Sequence, residues 1–136
     1  MLTSLFAPYS GAAALALRLA LASVLITHGW PKFFGAEGLS GFSGWLGGMG
    51  IPMPMVFAFL AALLEVGGGI LLILGLATPA VAALLVLEIA FILLYVRSGA
   101  PFAHKELDLL VFAIAFALMI MGGGKYSLDN FFGFKL

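Results

Sequence analysis

The stretch PMVFAFLAALLEVGGGILLILGL, residues 54–76, holds twenty-three residues with a single ionisable side chain, Glu65. At helical rise it is about 34 Å long, against about 30 Å of hydrocarbon in a bilayer. Backbone polar groups in lipid must be satisfied within the chain, so a stretch of this kind crosses as an α-helix. The period-2 alternation of a membrane barrel strand is missing. Residues 11–28, 79–97 and 105–121 read the same way, giving four spans of 17–23 residues. The links at 77–78 and 98–104 are short, which sets neighbouring helices antiparallel. The fold expected is all-α, an integral membrane four-helix bundle. It runs up and down as one domain over residues 1–136, with both termini on one side.

Composition points the same way. Hydrophobic residues make up 64% of the 136 and charged ones only 9%. A soluble domain of this size has too much surface to hide that apolar content. Six basic and six acidic side chains cancel, so no basic face suits nucleic acid. Cysteine is absent, which removes disulfides, thiolate redox chemistry and cysteine-ligated clusters. Residues 1–10 carry no Lys or Arg and the first apolar run contains Arg18, so that run is expected to stay as a helix rather than leave as a signal. Lys125 and Lys135 flank the side of the termini, against Lys32, Arg97 and Lys105 on the other, a difference of one charge that leaves the orientation open.

Between the first and second spans, residues 33–50 are rich in glycine and aromatic rings. Leu39, Phe42, Trp45 and Leu46 share one face at helical spacing, with Ser40, Ser43 and Gly44 elsewhere. This predicts a short amphipathic helix in the headgroup plane, either a packed cap or a lid over an entrance between helices.

Arg18, Glu65 and Glu88 stand inside otherwise apolar spans. A charge at such a position costs at least about 2.5–3.5 kcal/mol, so each needs a partner, a proton or water. Counted from the side of the termini, they lie about 11, 16 and 14 Å deep, in one slab. Tyr95, seven residues beyond Glu88, shares its helix face. The expected arrangement pairs Arg18 with Glu65 and leaves Glu88 protonated, sharing Arg18, or hydrated. The pair by itself suits helix registry, whereas the unmatched Glu88 suits a proton relay or a ligand.

A second polar cluster belongs to the opposite side: His28 and Lys32 after the first span, Arg97, then His104, Lys105, Glu106 and Asp108. Acids in a first helical turn are favoured by the helix dipole, which accounts for Glu106 and Asp108 without any function. Two histidines at helix ends are a poor haem site, and no metal site is expected. A quinone head group hydrogen-bonded by His28, Lys32 or Glu106 is the better chemical match.

Leu17-Arg18, then His28-Gly29-Trp30-Pro31-Lys32-Phe33-Phe34, then Gly50-Ile51-Pro52, then Glu65-Val66-Gly67-Gly68-Gly69 together resemble the DoxX family of small prokaryotic membrane proteins. Glu106 and the tail Gly122-Gly123-Gly124-Lys125-Tyr126-Ser127-Leu128-Asp129 are similar to the family's closing pattern. Glu88 departs from it. The family takes its name from a subunit associated with an archaeal thiosulfate:quinone oxidoreductase, and other members are linked to redox-defence complexes. The resemblance implies a multi-pass protein of the prokaryotic inner membrane, with Arg18, His28, Lys32, Glu65, Glu106 and residues 127–129 as the matching positions. It implies a subunit that binds a quinone or lipid and supports a membrane oxidoreductase, with no intrinsic cofactor. Transport or proton relay through Glu88 and Glu65, or a purely structural role in a larger complex, are the alternatives.

Overall fold

Every regular element among the described residues, 2–134, is helical in the computed structural model. Lys135, used in the charge count above, lies outside the described residues. In chain order the helices are α1 (Leu2–Phe6), α2 (Ser10–Phe34), α3 (Gly38–Gly48), α4 (Pro54–Leu74), α5 (Thr78–Phe91), α6 (Glu106–Met121) and α7 (Leu128–Phe132). A π turn, Ile92–Val96, continues α5. Among the described residues three units are long and apolar enough to cross a membrane: Leu2–Phe34, Pro54–Leu74 and Thr78–Val96. The fourth expected span, α6, has 16 residues and is about 24 Å long.

Helix α2 packs against α3, α4 and α6, and α5 packs against α4 and α6. Their shared core is small and aliphatic. Leu21, Ala22, Leu72, Ala82, Leu85, Ala115 and Leu118 are buried almost completely. Outside it, Leu60, Ile70, Leu84, Leu87 and Ile120 are exposed, as a lipid-facing surface requires. Without a hydrophobic drive between helices in lipid, close backbone approach supplies the packing. At Gly69 an added Cβ would come within 2.7 Å of Ile26 Cγ1, so this α2–α4 contact needs the missing side chain.

The first span was expected to end at residue 28, but α2 runs on through Pro31 to Phe34. A proline removes one amide donor, and the helix resumes when the following turn closes. Here the Gly35 N–H donates to the Pro31 carbonyl at 2.8 Å. The extra turn is held by Phe33, whose ring meets Phe59 of α4 edge to face at 6.0 Å.

The helix ends are not level. Gly29 of α2 lies against Glu65 of α4, where an added Cβ would sit 2.6 Å from the Glu65 Cβ. By helical rise, α2 then begins well beyond the end of α4 on one side and stops short of its start on the other. Helix α3 packs onto both α2 and α4 beside that short end. Ser43 and Leu46 are buried on α3, whereas Trp45 is half-exposed. The buried face is therefore turned from the expected one, with Ser43 inside.

At the opposite end, α4 turns into α5 through residues 75–77. Gly75 and Ala77 both take left-handed backbone, with φ of 67° and 53°. For alanine that conformation is strained, and it persists where surrounding bonds fix it. Asp129 of α7 supplies them, its Oδ1 accepting from the Ala77 N–H at 2.6 Å and its Oδ2 from the Thr78 N–H at 2.8 Å.

Candidate functional site

A cavity of about 880 Å³ opens between α2, α3, α4, α5 and α6. Eight of the sequence-predicted residues line it: Glu65, Glu88, Tyr95, His28, Lys32, Arg97, His104 and Asp108. The two polar clusters expected on opposite sides thus share one cavity. Arg18 and Glu106 do not line it. Glu106 is exposed in the first turn of α6.

At the heart of the cavity Lys32 and Glu65 form an ion pair. Lys32 Nζ donates to Glu65 Oε1 at 2.7 Å and Oε2 at 2.6 Å, with the two side chains 23% and 9% exposed. The expected partner of Glu65 was Arg18. The stagger of α2 on α4 overturns that pairing, because it sets Gly29, not Arg18, level with Glu65. Lys32, one turn above Gly29, then lays its four-carbon stem down toward the carboxylate. Its ammonium also lies 4.4 Å from the Phe42 ring centroid, a cation–π contact that ties the pair to α3.

Arg18 does different work. It is fully buried and donates from Nη1 to the carbonyls of Leu72, at 3.0 Å, and Ile73, at 3.3 Å. Its Nη2 donates to the carbonyl of Tyr126. The last carbonyls of a helix lack intrahelical donors, and a guanidinium supplies several in a fixed fork. Arg18 therefore closes the end of α4 and pins the C-terminal segment to it. Nothing in the sequence spacing marks backbone carbonyls as its partners.

Glu88 keeps the position expected of it, level with Glu65 by helical rise. Its Oε2 is buried and has no hydrogen-bond partner. Glu65 and Lys32 are its charged neighbours. Tyr95, one i,i+7 step on, stacks on Phe91 at 5.2 Å and donates from its hydroxyl to the Met49 carbonyl at 3.1 Å. That bond joins the end of α5 to the residue that follows α3.

The rim is set by the π turn. In an unbroken α-helix Arg97, nine residues beyond Glu88, sits about half a turn away from it. A π turn winds less per residue and brings Arg97 back to the cavity. The Arg97 N–H donates to the Ile92 carbonyl at 2.8 Å, and Nε donates to Asp108 Oδ2 at 2.7 Å. The Arg97–Asp108 pair was not anticipated, although both residues belong to the expected second cluster. The eleven-residue separation across a helix connection was the available signal.

Hydrophobic residues make up the remaining wall. Leu46 of α3, Leu64 of α4, Ile89 of α5 and Val111 of α6 face the space. Phe57, Leu60, Leu87 and Phe91 both line the cavity and are exposed on the outer surface of α4 and α5. The cavity therefore reaches the lipid-facing side between those two helices. A largely apolar chamber lined by two ion pairs and the Glu88 side chain suits an amphipathic molecule arriving from the bilayer.

The DoxX family model matches residues 13–98. The chain is 33% identical to "Putative oxidoreductase CatD" of Bacillus subtilis, over 86% of this chain and 84% of the relative. An uncharacterized protein of Haemophilus influenzae is 34% identical, over 85% and 87%. The inner membrane protein YphA of Escherichia coli is 35% identical, over 83% and 85%. No solved structure matches the chain. With a family match spanning the cavity-forming helices α2 to α5, and relatives similar along most of their length, this chain is a membrane protein of the DoxX family.

Proposed function

We propose that the chain is a quinone- or lipid-binding subunit of the inner membrane that supports a membrane oxidoreductase or redox-defence complex. In this reading α2, α4, α5 and α6 form an up-and-down four-helix bundle, with α3 at the interface. The observation that carries it is the Lys32–Glu65 pair inside a cavity that reaches the lipid-facing surface. An ammonium has three N–H donors. Nζ is within hydrogen-bond distance of both Glu65 oxygens, and three donors allow it to serve a further acceptor such as the carbonyl oxygen of a quinone ring. His28, on the same wall, is a second polar group at head-group depth. The apolar wall suits an isoprenoid or acyl tail, and the volume falls within the usual range of small-molecule sites. The names of CatD and YphA, an oxidoreductase and an inner membrane protein, support the setting.

The test is mass spectrometry of the lipid extract from protein purified in mild detergent. An isoprenoid quinone is expected with the wild type and is lost in Glu65→Gln, provided that variant remains folded by size exclusion. Extracts free of quinone from both proteins, with no quinone-dependent activity restored in membranes, overturn the reading. A second reading, transport or proton relay, is favoured by one observation, the buried Glu88 Oε2 without a donor. Proton flux in proteoliposomes that disappears in Glu88→Gln supports it, and flux indistinguishable from empty liposomes removes it.

A further inference from the structure

Of the three acidic side chains that line the cavity among the described residues, one has no basic partner. Lys32 is neutralised by Glu65 and Arg97 by Asp108, each at hydrogen-bond distance. Among the described residues Glu88 has no cation at hydrogen-bond distance, and its Oε2 is buried and unpartnered. The same cavity is lined by five aromatic rings, those of Phe42, Trp45, Phe57, Phe91 and Tyr95. An aromatic face attracts a cation electrostatically, more so when the cation is desolvated, and a carboxylate adds its full charge. Lys32 over Phe42 already uses one ring in this way.

From this we propose that the cavity is a binding site for lipophilic organic cations, with Glu88 as the counter-charge and the aromatic rings as the cage. A quaternary ammonium or phosphonium with apolar substituents has the required chemistry. It brings one positive charge to the unmatched carboxylate and apolar surface to the walls, and it has no need of Lys32 or Arg97. The cation site shares its cavity with the quinone reading but does not depend on it. A protein that retains no quinone still binds such a cation, and one that retains quinone need not.

Two ions of the same shape and opposite charge make the test direct: tetraphenylphosphonium and tetraphenylborate. Binding is measured by equilibrium dialysis against the full chain in nanodiscs of neutral lipid, with empty nanodiscs subtracted to remove partition into the bilayer. The wild type is expected to bind the phosphonium saturably and about ten-fold or more tighter than the borate. Glu88→Gln is expected to lose that preference, and Glu88→Asp to keep most of it. Equal binding of the two ions to the wild type, or an undiminished preference in Glu88→Gln, overturns the proposal. If Glu88→Gln fails to fold, the wild-type preference and the Glu88→Asp variant decide the matter alone. Lipid extracts of the same preparations report on quinone separately, so failure of one proposal is distinguishable from failure of the other.

Discussion

Lys32 of α2 donates to both carboxylate oxygens of Glu65 on α4, at 2.7 and 2.6 Å, across a contact that Gly29 keeps close. This pair bridges the two helices and places a charged centre on the wall of the cavity. Removing one partner strands the other charge, whereas replacing both with apolar groups of similar shape does not. Lys32→Met is expected to destabilise the protein by about 2–4 kcal/mol. The double variant Lys32→Met, Glu65→Leu recovers most of that loss. Thermal unfolding of the four members of the cycle in one detergent checks it. Equal destabilisation by the single and double variants contradicts it.

Gly29 tests the same contact sterically. A methyl group there meets the Glu65 Cβ at 2.6 Å and Val66 Cγ2 at 2.9 Å, both on the α4 helix. Neither atom is the far end of a flexible side chain, so the helices must separate. Gly29→Ala is expected to cost about 1–3 kcal/mol, as overpacking usually does. The melting temperature reports it. A variant as stable as the wild type shows that α2 and α4 lie farther apart than described.

Arg18 makes a separate prediction, because its role is to close α4 rather than to serve the cavity. Arg18→Lys keeps a charge but replaces a rigid fork with a single ammonium, which cannot serve the carbonyls of Leu72, Ile73 and Tyr126 together. Loss of stability of about 2 kcal/mol or more is expected in Arg18→Lys, with ligand binding by the remaining folded protein unchanged. Protease sensitivity of the segment after residue 121 measures the release of the tail. A stable Arg18→Lys with impaired ligand binding places Arg18 in the site instead.

Tyr95 joins α5 to the end of α3 by a single hydrogen bond to the Met49 carbonyl, 3.1 Å long and on an exposed side chain. Tyr95→Phe removes only that hydroxyl. Its effect on global stability is expected to be no more than about 1 kcal/mol. Amide exchange across α3 is expected to quicken while that of α4 and α5 stays as it was. Unchanged exchange in α3 means that packing of Ser43 and Leu46 alone holds this helix.

Much of this architecture was legible in the residues themselves. The length and apolarity of residues 54–76 and 79–97 prescribe helices α4 and α5, and the two-residue link between them prescribes their antiparallel turn. Placing Glu65 and Glu88 at one level worked because both were counted from that turn, where the two helices start together. Counting Arg18 into the same level failed for the converse reason. No short link ties α2 to α4, and their stagger depends on close contacts at Gly29 and Gly69 that periodicity does not encode. The first span was bounded at residue 28, yet α2 continues through Pro31 to Phe34, where Phe33 packs on Phe59. Arg97 depended on the π turn, which changes the angle per residue without any change in composition. The polar residues that gather in the cavity were all visible, but the cavity that unites them was not.

The central claim is that the space around Lys32 and Glu65 receives a quinone-like head group, and Trp45 on its wall is a built-in reporter. The direct measurement is a fluorescence titration with a short-chain quinone in a Trp30→Phe background, where Trp45 is the one tryptophan left. Saturable quenching is expected, weakened about ten-fold or more in the folded Lys32→Met, Glu65→Leu double variant. Quenching that rises linearly with quinone and is identical in the two proteins contradicts it.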